Sequence, residues 1–282
     1  MNKQRADDTL LYCTLRFFVV LALSLLSITS LRAEIIFSAP PRESPDQGQE
    51  TYGELVKFLS GILGETVVYE HPGGWPQYTN NMRNGRYDIV FDAPHFGAWR
   101  IRNISHIPVA RLPGSLKFAV VVKRQLTAVR NVRDLLSVKV CTLASPNLGT
   151  ITFYNLFSSP IYQPRIHEVK DGFKGVFKAL KEDKCDAAVL RDSFYRKLNI
   201  NEQKQLSVIV VTKPIPNQTI TISHRLSPKK DIIAQHLVSA EGNKAATLLL
   251  KRFGNANDNL LAIKNKEFDQ FEDLLTGVIW GW

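Results

Sequence analysis

The sequence has only three cysteines in 282 residues, too few for a small domain stapled by disulfides. After residue 33 it has no apolar run approaching the roughly 20 residues that span a bilayer. It has no Gly-rich phosphate loop ending in Lys-Ser/Thr, and no aromatic-basic register of an RNA-binding sheet. Nucleic acid is therefore not an expected partner. Also missing are a Gly-x-Ser-x-Gly elbow, a His-Glu-x-x-His helix and a Cys/His nucleophile pair. Several serines and one His-Asp pair exist, but no order makes them a triad. The chain thus reads as a protein that binds, with an exported enzyme as the lesser alternative. His71, His95 and His106 follow no metal-ligand spacing, and neither a metal nor a cofactor is expected.

What is present is a well-filled globular composition. The chain is 44% hydrophobic and 22% charged, enough to bury a core. Lys and Arg number 36 against 26 Asp and Glu, a net charge of +10. The basic residues are scattered, as Lys123-Arg124, Arg130, Arg133, Lys229-Lys230 and Lys251-Arg252. That dispersal implies a general attraction for small anions. At the N-terminus, Lys3, Arg5 and Arg16 precede the apolar stretch Phe17–Leu26, which closes on Ser30-Leu31-Arg32-Ala33. This is the order of a secretory signal over residues 1–33 cut near Ala33, the alternative being an uncleaved anchor. Cys13 precedes the apolar core, which argues against a lipid anchor. The remaining 249 residues carry a net +8, and the expected product is an exported protein.

Helical and strand periods then alternate. Ile35-Ile36-Phe37 reads as a strand ending at Pro40-Pro41. Tyr52, Leu55, Val56, Leu59, Ile62 and Leu63 form one helical face, stopped by Gly64. Thr66–Tyr69 is a strand, Trp75, Tyr78 and Met82 mark a helix, and Tyr87–Phe91 is a third strand. The order recurs as strand 138–143, a helix through Phe153, Leu156 and Phe157, strand 166–169, a helix through Phe173, Val176, Phe177 and Leu180, and strand 185–190. The halves share a phrase, Gly85-Arg86-Tyr87-Asp88 and Asp183-Lys184-Cys185-Asp186, each followed by apolar residues. The fold class is therefore α/β, with two similar lobes, each a mostly parallel sheet flanked by helices. Leu116–Val122 and the stretch from Val208 through Pro214-Ile215-Pro216 to Ile222 are the candidate crossings. The lobes are then residues 34–117 with 217–282, and residues 118–216. Helices near 231–238, 245–253 and 268–278 return to cover the first lobe. Cys141 and Cys185 fall on neighbouring strands. They are either a disulfide or buried free thiols, the thiols being favoured because a bridge between adjacent strands needs suitable register.

This order resembles a type 2 periplasmic solute-binding protein of the phosphonate/phosphite (PhnD-like) branch. The resemblance runs from Phe37 to about Leu250. It is carried by Tyr52-Gly-Glu-Leu-Val-Lys-Phe-Leu-Ser-Gly-Ile-Leu-Gly64, Gly85-Arg-Tyr-Asp-Ile-Val-Phe91, Ala179-Leu-Lys-Glu-Asp-Lys-Cys-Asp-Ala-Ala-Val-Leu190 and Pro214-Ile-Pro216. It implies a monomer whose two lobes close on a small, anionic ligand. The ligand is then handed to the membrane permease of an ATP-binding-cassette transporter, or read by a sensor kinase. The sequence departs from that branch twice. Asn147-Leu148-Gly149-Thr150 stands where a Ser-Thr-Ser-Gly-like phrase is usual, and Asp92 stands where an aromatic follows the third strand.

In open parallel sheets ligands sit beyond the carboxyl ends of the strands. Those ends offer Ser38 and Arg42, Asp92 and His95, Ser145, Asn147 and Thr150, and Arg191. Ser145 would cap a helix with Pro146 in its first turn, aiming free amides at an anion. Tyr78 would wall the cleft, with Trp75 and Trp99 as cleft or core. Asp92 would repel a dianion unless paired with an amine, with Arg42 or Arg191, or with a proton.

Overall fold

The computed structural model describes residues 34–276 except 160, 256, 265 and 270. The expected signal segment lies outside these residues. The chain begins with β1 (Ile35–Ser38), α1 (Pro45–Leu63), β2 (Val67–Tyr69), α2 (Trp75–Arg83), β3 (Ile89–Asp92), α3 (Pro94–Ile104) and β4 (Ile107–Arg111). Then follow β5 (Ser115–Leu116), β6 (Phe118–Lys123), β7 (Lys139–Leu143), α4 (Leu148–Tyr154), β8 (Arg165–Val169), α5 (Gly172–Lys181) and β9 (Ala187–Arg191). The last part holds α6 (Asp192–Tyr195), α7 (Ile200–Lys204), β10 (Leu206–Val211), β11 (Ile215–Pro216), β12 (Thr219–Ile222), α8 (Lys230–Leu237), α9 (Ala240–Ala245) and α10 (Thr247–Phe253).

Local chemistry explains the ends of the first helix. Ser44 and Gln47 form a reciprocal capping box, Pro45 takes the first turn, and Gly64 closes the helix at φ 63°, a conformation that costs glycine little. Tyr52, Leu55, Val56 and Leu59 then bury one face against the first sheet.

Two five-stranded sheets carry the molecule, in the orders β2-β1-β3-β12-β4 and β8-β7-β9-β6-β10. In the first, β1 is parallel to β2 and β3, and β12 runs antiparallel between β3 and β4. In the second, β7 is parallel to β8 and β9, and β6 runs antiparallel between β9 and β10. Each sheet thus has four strands in one direction and one reversed strand in the fourth place. The repeated phrase has the same task in both halves. Asp88 Oδ2 accepts from Ile36 N–H at 2.9 Å, and Asp186 Oδ2 accepts from Lys139 N–H at 3.0 Å, so each carboxylate ties the approach to a third strand onto the first.

Between the sheets, β5 and β11 pair antiparallel, Ile215 opposite Leu116 and Pro216 opposite Ser115. The expected crossing over Leu116–Val122 is mostly not a linker. Phe118–Lys123 alternates its side chains between two apolar cores and is a central strand of the second sheet. Two further expectations are corrected. Of the helix expected over 268–278, the described residues form only a 3-10 turn at Glu272–Leu275, with 270, 277 and 278 lying outside the described residues. The expected free thiols are a disulfide, Cys141–Cys185, with Cα atoms 5.7 Å apart. Cys185 precedes β9 and does not sit opposite Cys141 in the ladder, whose partner there is Ala188. Both sulfurs lie in the buried cluster with Val121, Val176 and Leu180.

Candidate functional site

The carboxyl ends of β3 and β7 come together. His95, in the first turn of α3, donates from Nε2 to the Pro146 carbonyl at 3.1 Å, joining the loop after β3 to the loop after β7. Around this link Tyr78, Met82, Val90, Ala93 and Phe96 from the first sheet's side pack in one buried cluster with Ile151 of α4 and Leu275. Gly97 lets α3 lie close to the sheet, since a Cβ there would stand 2.6 Å from Thr219 Cγ2. The carbonyl can only accept, so neutral His95 carries its proton on Nε2 and presents a bare lone pair at Nδ1. Nδ1 is buried and has no hydrogen-bond partner among the described residues. Burial, helped by the charge of Arg42 and opposed by the Pro146 bond, pushes the imidazole pKa down from 6.5 to about 3.

Asp92 is answered by a residue that its spacing did not reveal. Arg100, eight positions on and two turns along α3, donates from Nε to Asp92 Oδ2 at 2.7 Å, and both side chains are fully buried. Tyr78 Oη donates to Asp92 Oδ1, and Arg100 Nη2 donates to Tyr78 Oη at 3.2 Å. The guanidinium also lies over the Tyr78 ring at 5.5 Å and the Tyr87 ring at 5.7 Å. The expected pairing of Asp92 with Arg42, Arg191 or a proton is thus replaced by a pairing with Arg100. Burial pushes the Tyr78 hydroxyl pKa well up, and the Asp92 charge pushes it further.

The other candidates divide between internal roles and free polar groups. Ser38 Oγ donates to the Glu70 carbonyl at 2.8 Å. Thr150 Oγ1 bonds the Leu143 carbonyl at 2.6 Å and the Thr142 hydroxyl at 2.8 Å. Ser145 does not cap α4, which corrects the expectation. Asn147 does, its side chain accepting from Gly149 N–H at 2.9 Å, with the cis Ser145–Pro146 peptide upstream. Arg42 stacks on the Phe253 ring at 5.6 Å, and its Nη1 is buried without a hydrogen-bond partner among the described residues. Arg191 ends β9 on the face of Val189 and Phe118. Burial lowers its pKa, with no carboxylate opposing the shift. Trp75 stacks on Phe96 at 6.0 Å and, with Trp99, is half-buried against the same cluster, which makes both part of the packing there. His71 and His106 stand elsewhere, His71 donating to the Glu43 carbonyl and His106 bonded to the Thr221 hydroxyl.

Among the nine expected site residues, Arg42 and His95 have buried polar atoms without a partner among the described residues, and Arg191 has a withdrawn charge that no carboxylate opposes. Two cavities, of about 590 and 140 Å³, lie elsewhere, near Asn243–Asp258 and near Glu65–Lys229.

This arrangement has known relatives. The family described as ABC transporter, phosphonate, periplasmic substrate-binding protein matches residues 37–267. The chain belongs to that family. No curated protein matches the sequence. Among solved structures, PhnD1 from Prochlorococcus marinus in complex with methylphosphonate is 15% identical, with a TM-score of 0.62 over 86% of this chain and 97% of that one. A Xanthomonas citri protein bound to ATP is 10% identical, with a TM-score of 0.67 over 86% and 95%. The binding-protein component of a phosphonate transporter from Pseudomonas aeruginosa is 15% identical, with a TM-score of 0.57 over 86% and 85%. These likenesses establish the fold as the two-lobed type 2 binding-protein fold. Family membership makes this a periplasmic solute-binding protein, with a small molecule as ligand and a transporter permease as partner. Among the described residues no helix is long and apolar enough to cross a membrane.

Proposed function

We propose that residues 34–117 with 217–282 form one lobe and residues 118–216 the other, and that they close on a small oxyanion of the phosphonate or phosphite kind. Arg42, His95 and Arg191 would be its direct contacts. Ser38, Tyr78, Asp92 and Thr150 would hold the surrounding loops, and Asn147 would fix the start of α4. Ser145, displaced from the cap, would contribute through its loop. The protein would act by binding alone, without turnover.

The observation that carries this reading is Arg191. A guanidinium at a strand tip, mostly withdrawn from water and matched by no carboxylate among the described residues, is costly until an anion arrives. Arg42 Nη1 supplies a second free donor and His95 Nδ1 a free acceptor. A donor and an acceptor together suit an oxyanion that carries a hydroxyl. Bonds to charged groups contribute about 1.5–3 kcal/mol each, so Arg191→Ala should weaken binding by about 10- to 100-fold. Calorimetric titration of the purified protein with methylphosphonate, phosphite and sulfate tests this. Unchanged affinity in a folded Arg191→Ala/Arg42→Ala variant would remove both residues from the site.

A further inference from the structure

Residues beyond 267 lie past the family match, and in this protein they join the two sides of the strand-tip region. Phe271 and Leu274 pack against the core of the second sheet, the cluster that holds Phe118, Leu148 and Phe153. Leu275, 2% exposed, packs in the cluster of Tyr78, Phe96 and Ile151. The 3-10 turn Glu272–Leu275 thus touches both α3, which follows β3, and α4, which follows β7. An ionic contact fastens the same stretch to the first side, where Arg102 on α3 holds Glu272 at 2.7 Å. Just ahead of it, Arg111 at the end of β4 holds Glu267 at 2.7 Å. Upstream, Leu261 exchanges both backbone hydrogen bonds with Arg111.

We propose that Phe271–Thr276 is a strap that pins the loops after β3 and β7 together, so that the cleft opens only when the strap lets go of one side. An apolar side chain seated between two bodies stabilises whichever arrangement buries it, and Leu275 sits in a cluster drawn from both sides, with Tyr78 and Phe96 from one and Ile151 from the other. The strap therefore gates exchange at the site, and the sequence past the family match sets how fast the cleft opens. Its role in solute uptake rests on the solute-binding reading; its mechanical role does not.

The test measures the distance between lobes in the mature chain, with probes on cysteines introduced at the exposed positions Glu50 and Lys174 and the native disulfide intact. Leu275→Asp should raise the open-to-closed ratio by about 10- to 100-fold, the factor expected when one leucine loses its burial. Arg102→Glu and Glu272→Arg should each widen the distribution, and the double exchange should restore it, which a general loss of stability would not do. A distance distribution unchanged in folded Leu275→Asp would overturn the strap. If Leu275→Asp fails to fold, the charge exchange decides: no widening in either single variant, or no recovery in the double, overturns it equally. Stopped-flow binding of methylphosphonate should show entry accelerated in Leu275→Asp. No binding of any oxyanion to any variant would instead sink the solute reading, leaving the distances to judge the strap.

Discussion

Replacing Asp92 by alanine removes the carboxylate that faces Arg100 where neither side chain reaches water. The guanidinium would keep only the Tyr78 hydroxyl, at 3.2 Å, and two aromatic faces. Breaking a buried pair from one side costs about 3–5 kcal/mol, mostly because the surviving charge stays buried without compensation. For a chain of this size each kcal/mol moves the melting temperature by about 2–4 °C, so Asp92→Ala should melt about 6–20 °C lower. Arg100→Met should lose a comparable amount, leaving the carboxylate with Tyr78 alone. Removing all three polar groups together, as Asp92→Leu/Arg100→Met/Tyr78→Phe, leaves no stranded charge and no stranded hydroxyl, and should recover most of the loss. Thermal unfolding followed by far-ultraviolet circular dichroism measures each step. If Asp92→Ala and Arg100→Met each lower the melting temperature by less than about 2 °C, water reaches the pair. The assignment of Asp92 to the scaffold and not to the ligand then fails.

The disulfide closes a loop of 44 residues, so replacing both cysteines by alanine should cost about 4 kcal/mol on chain-entropy grounds. The mature protein unfolded in denaturant should titrate no free thiol, and a thiol count of two would contradict the bridge. His95 is neutral when buried, with a pKa of about 3, and returns to about 6.5 when water reaches it. The unfolded chain then binds the extra proton, so stability is full above about pH 6.5 and falls as pH drops toward 3. Between about pH 7.5 and pH 5 the loss from this one group is about 2 kcal/mol. His95→Asn should flatten the pH profile by that amount, and an unaltered profile would show that the imidazole is hydrated. Gly97→Ala should cost about 1–3 kcal/mol through overpacking, because its methyl would meet Thr219 at 2.6 Å; an unchanged unfolding midpoint would show that α3 has room to shift.

The parallel strands β1, β2, β3, β7, β8 and β9 were legible in the sequence because they are short apolar runs between turn residues, and the shared Asp88 and Asp186 phrases marked the repeat, whereas β4 was missed and β6, β10 and β12 read as crossings. The parts that were not legible depend on contacts distant in sequence or on choices between neighbours. Apolar spacing locates α1 only from Tyr52 onward, whereas Ser44, Pro45 and Gln47 start it two turns earlier through side-chain hydrogen bonds that hydrophobic patterning does not register. Apolar spacing assigns no helix between Phe91 and Leu116, so α3 and Arg100 on it went unseen. An arginine two helical turns past a buried aspartate was the available signal. At Ser145-Pro146-Asn147 two capping residues compete, and Asn147 wins because its side chain reaches Gly149 N–H. The bridge between Cys141 and Cys185 depends on where Cys185 leaves the ladder, which strand spacing alone does not give.

The reversed strand β12 fills the gap between β3 and β4, yet it arrives only after the whole of β6–β10 has been made. The second sheet comes from one unbroken stretch of chain, whereas β4 has no neighbour in the first sheet until residues 219–222 are available. A polypeptide emerging from its N-terminus would thus hold its earliest half unfinished and complete its later half first. Nascent chains ending before Thr219 should therefore keep the first half open to protease while the second already resists it.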